Sequence, residues 1–141
     1  MRRIYFLFLC LILGISITVF FFSSVSLSGD QGDSFYTCMK NDNYDELICL
    51  LDKEALKEIS KESWLKMLQS KSNELGDLLS YKNIGLHTET VNGLRISRLD
   101  YIVIYSNGMR NEKIEVIKRN FDFKILSYQF NDTDSLMYSM K

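Results

Sequence analysis

The stretch LDYIVIYSNGMRNEKIEV, residues 99–116, decides the fold, because apolar and polar residues alternate on both sides of a turn. Asn107-Gly108 is the residue pair that a two-residue type I′ turn prefers, and such a turn joins two antiparallel strands. A turn at this pair predicts three cross-strand pairs: Tyr105 with Arg110, Val103 with Glu112, and Tyr101 with Ile114. One face of the hairpin is then apolar and suited to packing on helices: Leu99, Tyr101, Val103, Ile114 and Val116.

The opposite face of the hairpin mixes isoleucines with charged side chains such as Asp100 and Lys113. Apolar side chains that stay exposed on a protein surface often mark a contact with a partner. We therefore predict a partner surface at Ile102, Ile104 and Ile117. The partner would be a second copy of the chain, which gives a homodimer, or an envelope protein.

The residues before the hairpin follow helical spacing. A short first helix is predicted to end near Lys40, and a second, beginning at Tyr44, has one apolar face: Tyr44, Leu47, Ile48, Leu51 and Ala55. Ser60 caps a further helix that ends at Gly76. Extended segments are predicted at 78–90 and 124–130. The sequence therefore predicts an α+β fold, with two or three helices packed on a curved antiparallel sheet of three to four strands.

The chain begins with Arg2 and Arg3, followed by residues 4–22 without a charge. As a helix this stretch is about 28 Å long, which nearly matches the hydrocarbon core of a bilayer. It is either a retained single-pass anchor or a cleaved signal, because small residues suited to cleavage follow it. Both alternatives keep the arginines cytoplasmic and place the domain outside, membrane-anchored, secreted or periplasmic. The predicted organisation is signal or anchor 1–22, linker 23–32, domain 33–131 and tail 132–141.

Charge and residue content argue against several classes of function. Of the 17 Lys and Arg residues, two lie in the leader, so the rest carries 15 basic and 18 acidic side chains, a net charge of −3. Such a surface does not favour nucleic acid as a partner. His87 is the only histidine, and it lies in no catalytic or metal-binding motif, so we expect no metal and no cofactor.

Two cysteines of the domain, Cys38 and Cys49, lie about one helical turn from the loop that joins the first two predicted helices. In an oxidising compartment they would pair as a disulfide. In the alternative interpretation they are free buried thiols, because small apolar cysteines are common in protein cores. The sequence leaves both alternatives open.

The order of these segments resembles small exported domains of the nuclear transport factor two-like superfamily, which have a cystatin-like, cone-shaped α+β fold. The resemblance covers about residues 33–130 and is carried mainly by packing and turn positions: Asn43-Tyr44, Ile59-Ser60 to Trp64, Leu75-Gly76, the strand from Tyr101 to Tyr105, Glu112 to Val116 and the strand from Phe123 to Tyr128. Phe123 is a departure, since such domains often carry tryptophan before the last strand. The resemblance implies a pocket between the sheet and the helices, in a superfamily of isomerases, dehydratases and non-catalytic binding modules.

The candidate pocket residues are aromatic: Trp64, Tyr101, Tyr105 and Tyr128. An isomerase or lyase would need a carboxyl next to a tyrosine hydroxyl, but Asp100 falls on the opposite face from Tyr101. We therefore expect a non-enzymatic, outward-facing binding or assembly domain with no catalytic residues. A small-molecule isomerase or lyase and a neutralising, immunity-type protein remain as alternatives.

Overall fold

The computed structural model describes residues 28–120 and 122–131. The predicted leader and the tail at 132–141 lie outside the described residues. The first helix, α1, covers the described residues 28–40, so residues 28–32, predicted as the end of a linker, are helical. Gly32 lets this helix approach the sheet, because a Cβ built there would overlap the buried hydroxyl of Tyr101.

Three further helices follow: α2 at Tyr44–Leu50, α3 at Lys53–Glu58 and α4 at Lys61–Leu75. The predicted cap of α4 is confirmed, since Ser60 Oγ accepts a hydrogen bond from the Ser63 amide at 3.2 Å. The helix ends at Gly76, whose φ of 77° favours a residue without a side chain.

The prediction of one continuous helix from Tyr44 to Ala55 is wrong. The chain leaves the helix at Leu51 and Asp52, where it meets the last strand of the sheet. The Asp52 amide donates to the Ile125 carbonyl at 2.7 Å, and the Asp52 side chain caps α3 through the Glu54 amide at 3.0 Å. This contact between distant residues replaces the local helical hydrogen bonds.

Four antiparallel strands form one sheet in the order β1-β2-β3-β4: β1 at Leu78–Val91, β2 at Leu94–Tyr105, β3 at Gly108–Arg119 and β4 at Asp122–Asn131. The prediction of an α+β fold is therefore confirmed for the described residues, which contain four helices and this four-stranded meander.

The predicted register of the hairpin is wrong by two residues, because Tyr105 pairs with Gly108 and the turn residues are Ser106 and Asn107. The Asn107 amide donates to the Leu75 carbonyl at 2.9 Å and holds this turn at the end of α4. A shift by two residues leaves every side chain on its predicted face. The residues predicted to face the helices are accordingly buried: Leu99, Tyr101, Val103, Ile114 and Val116.

Candidate functional site

Glu112 is buried on the helix-facing side of β3, with 1% of its surface exposed. Its Oε1 accepts a hydrogen bond from the Tyr105 hydroxyl at 2.9 Å and lies 2.5 Å from Lys71 Nζ. Its Oε2 accepts from the hydroxyls of Tyr36 at 3.0 Å and Tyr128 at 2.7 Å. We call these five residues the Glu112 network.

The five side chains of the Glu112 network meet because each occupies an inward position of its element. Glu112 shares the inner face of β3 with Ile114, and Tyr105 shares that of β2 with Val103. Lys71 belongs to the buried stripe of α4, one helical turn after Leu68. The network therefore links α1, α4, β2, β3 and β4.

The ammonium of Lys71 is held by aromatic rings as well as by the carboxylate. It lies 4.8 Å from the ring centre of Tyr105, 4.7 Å from that of Tyr128 and 5.2 Å from that of Phe130. Lys71 Nζ also donates a hydrogen bond to the Tyr128 hydroxyl. Burial lowers the pKa of Lys71 to about 8, while the Glu112 carboxylate opposes this shift.

The tyrosines of the network are held in their neutral form. Burial raises the pKa of Tyr36, Tyr105 and Tyr128 well above the ordinary value, and the negative charge of Glu112 raises it further. Each hydroxyl can therefore donate a proton to a hydrogen bond with the carboxylate across the physiological pH range. Four donors satisfy Glu112, so the buried carboxylate is both ion-paired and hydrogen-bonded.

Two surface cavities lie near the helices. One of about 240 Å³ is lined by α1 and α2 residues, including Asp33, Cys38 and Glu46. Another of about 160 Å³ lies at the end of α4 and reaches Tyr105. Pockets for small ligands usually measure about 300 to 1,000 Å³. Neither cavity is lined by Glu112, so neither exposes the carboxylate to a ligand.

The four residues predicted to line a pocket are buried in the core: Trp64, Tyr101, Tyr105 and Tyr128. Tyr105 and Tyr128 meet at Glu112, whereas the ring of Tyr101 packs against Tyr36 with centres 4.8 Å apart. Burial raises the pKa of Tyr101 to about 12. Asp100 lies on the outer face, as predicted, with Lys113 at 4.0 Å.

Glu112 and Lys71 are the site residues that sequence reasoning missed. Each occupies an inward position of an apolar pattern: Lys71 lies between Leu68 and Leu75 on α4, and Glu112 precedes Ile114 by two residues on β3. Opposite charges at two inward positions predict a buried pair, since charged residues are seldom buried alone.

Both cysteines are free in the structure. Cys38 is buried against the core from α1, and Cys49 is exposed on α2. The two thiols therefore lie in different environments, and they do not form the disulfide that was one of the two alternatives left open by the sequence. The interpretation as a buried thiol holds for Cys38 alone.

The predicted partner surface is only partly exposed. Ile104 is 42% exposed, and its cross-strand neighbour Met109 is exposed beside it. Ile102 is half-buried. Ile117 is only 2% exposed, and it lies on an inner strand between Ile96 and Lys124. Including Ile117 in an accessible surface was therefore wrong.

The two edges of the sheet have different surroundings. Leu51 forms a parallel bridge with Ile125 at the β4 edge, and the Asp52 carboxylate accepts from Arg119 at 2.8 and 3.1 Å. At the β1 edge, within residues 28–120 and 122–131, no strand pairs with the outer side. This edge carries exposed apolar side chains: Leu79, Ile84, Leu86 and Val91.

Compared with known proteins, the chain matches no family model and no curated protein. Within the part of the chain that the structure describes, no helix is both long and apolar enough to cross a membrane. The same residues contain no cluster of three or more His, Cys, Asp or Glu side chains arranged to hold a metal ion.

Proposed function

We propose that this chain is a non-enzymatic binding or assembly domain that works through the open side of its sheet. This working surface consists of the β1 edge and the exposed end of the outer face around Ile104. The β1 edge carries the proposal, because a long edge strand with exposed apolar side chains offers unpaired backbone groups to another chain.

The Glu112 network supports a structural interpretation of the interior. Its carboxylate is surrounded by four donors of the chain itself, and the aromatic rings that would line a pocket pack against one another. A catalytic carboxyl must reach its substrate, and Glu112 lines neither of the two cavities near the helices. The function is therefore proposed for the surface of the sheet.

The location and family of the domain are part of the same proposal. Residues 4–22 would anchor the chain in a membrane or direct its export, so the working surface would face outward. Helices followed by an antiparallel meander are consistent with the proposed relation to the nuclear transport factor two-like superfamily.

The test compares native mass spectra of the full chain and its Ile104→Asp variant, each extracted under mild conditions from the host membrane fraction. We expect the wild-type chain to carry a second copy or another protein, and the variant to lose it, because a charge would enter the apolar contact. Val91→Asp places the same change at another exposed β-branched residue of the working surface and should also weaken the assembly. A wild-type chain without a protein partner, or assembly unchanged in both variants, contradicts the proposal.

A second candidate is a small-molecule isomerase or lyase, and the carboxyl of Glu112 next to three tyrosine hydroxyls is the observation that favours it. The same mass spectra test it. A small molecule bound to the wild-type chain and absent from a folded Glu112→Gln variant would support this function over the first.

A further inference from the structure

The backbone of β1 presents a defined set of groups at its free edge. Asn92 and Gly93 have φ values of 51° and 78°, as a type I′ turn requires, so Val91 and Leu94 form the closing hydrogen-bonded pair. Hydrogen-bonded and non-hydrogen-bonded pairs alternate from there along an antiparallel ladder. The residues whose N–H and C=O groups point away from β2 are therefore Thr90, Thr88, Leu86, Asn83 and Tyr81.

A bulge at Ile84 changes which side chains share a face. The register shifts between Asn83 and Gly85, so Lys82 lies opposite Ile102 and Glu89 lies opposite Ile96. Both partners belong to the outer face of β2, and Lys82 and Glu89 consequently share that face. In a strand without a bulge, two residues seven positions apart would point to opposite faces.

These two features make β1 complementary to itself. We propose that two copies of the chain pair antiparallel along β1, with Leu86 of each copy at the two-fold axis, and so join their sheets into one. This inference rests on the proposed function and names its partner: a second copy of this chain. The axis runs perpendicular to the sheet, because only that arrangement keeps antiparallel partners on the same face.

The pairing gives hydrogen-bond partners to the outward-pointing backbone groups along most of β1. Leu86 pairs with Leu86 of the second copy, Thr88 with Asn83, and Thr90 with Tyr81, and all of these residues point their backbone groups outward. The arrangement forms about ten backbone hydrogen bonds between the copies. The bulge places the two residues Asn83 and Ile84 opposite the single residue Thr88 of the second copy. Because the bulge occurs once in each copy, the same pairing register continues on both sides of the two-fold axis.

Charge complementarity selects this register. Lys82 and Glu89 are the only Lys, Arg, Asp or Glu residues of β1, and the pairing places each opposite the other in the second copy. The two-fold symmetry forms this ion pair twice. A register slipped by two residues would place Lys82 opposite His87 or Val91 of the second copy, and neither Lys82–Glu89 ion pair would form.

The first experiment exchanges these charges in the full chain, purified in mild detergent, and measures the dimer dissociation constant by sedimentation. Lys82→Glu or Glu89→Lys alone creates two like-charge pairs and should raise the dissociation constant roughly ten- to a hundredfold. The double variant restores opposite charges and should return it to within a few-fold of the wild-type value. Lys57→Glu makes the same charge change at an exposed residue of α3 and serves as the control.

The second experiment replaces Leu86 by cysteine in a chain whose Cys10 and Cys49 are serine. Hydrogen-bonded antiparallel partners lie about 5.5 Å apart between Cα atoms, which suits a disulfide. Leu86→Cys should therefore cross-link two copies on mild oxidation. Leu94→Cys is the matched control, because Leu94 is 37% exposed and Leu86 38% exposed, but Leu94 lies far from the axis.

A monomeric full chain, equal cross-linking of the two cysteine variants, or a double charge variant without recovery would overturn the inference. If the chain is monomeric but carries another protein that Ile104→Asp releases, this inference fails and the proposed function stands. If neither a second copy nor another protein binds, both fail.

Discussion

The β4 and β1 edges of this sheet differ in what lies beside them. At β4, Leu51 and Asp52 leave the helical layer, pair with Ile125 and add an ion pair to Arg119. At β1, among the described residues, no element pairs with the outer side, although the strand spans Leu78–Val91. The contrast teaches that the chain closes one edge with its own backbone, whereas the described part of the chain leaves the other edge unpaired, which is where we propose that a partner binds.

The Glu112 network holds the sheet against the helices, because it links α1 and α4 to three strands. Lys71→Met removes the cation and leaves a buried carboxylate without its ion pair, so the free energy of unfolding should fall by about 3 to 5 kcal/mol. Urea unfolding of the full chain measures this change. Lys71→Met combined with Glu112→Gln should recover part of the loss, because the amide carries no charge. A loss under about 1 kcal/mol would show that the network contributes little.

The closed edge is expected to depend on Asp52. Asp52→Ala removes two hydrogen bonds to Arg119 and the cap of α3, so we expect a loss of about 2 to 4 kcal/mol in the free energy of unfolding. Asp45→Ala is the matched control, because its carboxylate is exposed and forms a surface pair with Lys61 at 3.6 Å. Equal effects of the two substitutions would contradict the role assigned to Asp52.

The burial of Lys71 against the sheet should make the free energy of unfolding depend on pH in alkaline solution. Its pKa is about 8 in the folded chain and 10.5 ordinarily, so the unfolded chain binds more protons between these values. The free energy of unfolding should therefore rise with pH from about 8, by at most about 1.4 kcal/mol per pH unit. Above about pH 10 it should fall, because unfolded tyrosines ionise while the raised pKa of Tyr36, Tyr105 and Tyr128 keeps the folded ones neutral. Urea unfolding across this range tests the sign, and a Lys71→Met variant that keeps the rise would contradict it.

The open edge should tolerate substitution in the monomer. Lys82→Glu should change the free energy of unfolding by less than about 0.5 kcal/mol at protein concentrations too low for dimerisation. This small effect contrasts with that of Asp52→Ala, although both alter a charged residue at or beside a sheet edge. A loss similar to that of Asp52→Ala would show that β1 is stabilised within its own chain.

The sequence predicts the faces of the sheet better than its contacts. Alternation places Leu99 and Ile114 on the buried face, and a register shift of two residues leaves that prediction intact. The turn at Ser106 and Asn107 was missed, because its position depends on hydrogen bonds to the end of α4. The break at Asp52 has the same kind of origin, since its partner Ile125 is distant in the chain.

The candidate site was predicted only in part. Tyr105 and Tyr128 were identified by their aromatic side chains, but the carboxylate that joins them was assigned to no role. Considered separately in the sequence, Glu112 and Lys71 each look like an ordinary charged surface residue. Their pairing depends on how α4 lies across β3. The self-complementarity of β1 was also hidden, because the bulge at Ile84 alone brings Lys82 and Glu89 to one face.

Residue-resolved hydrogen exchange of the full chain tests the difference between the two edges most directly. The Asp52 amide, which donates to Ile125, should exchange slowly at every protein concentration. The amides of Leu86 and Thr88 should exchange quickly in dilute solution and become protected as the concentration rises through the dimer dissociation constant. Fast exchange of these two amides at every concentration would contradict the pairing of β1 with a second copy.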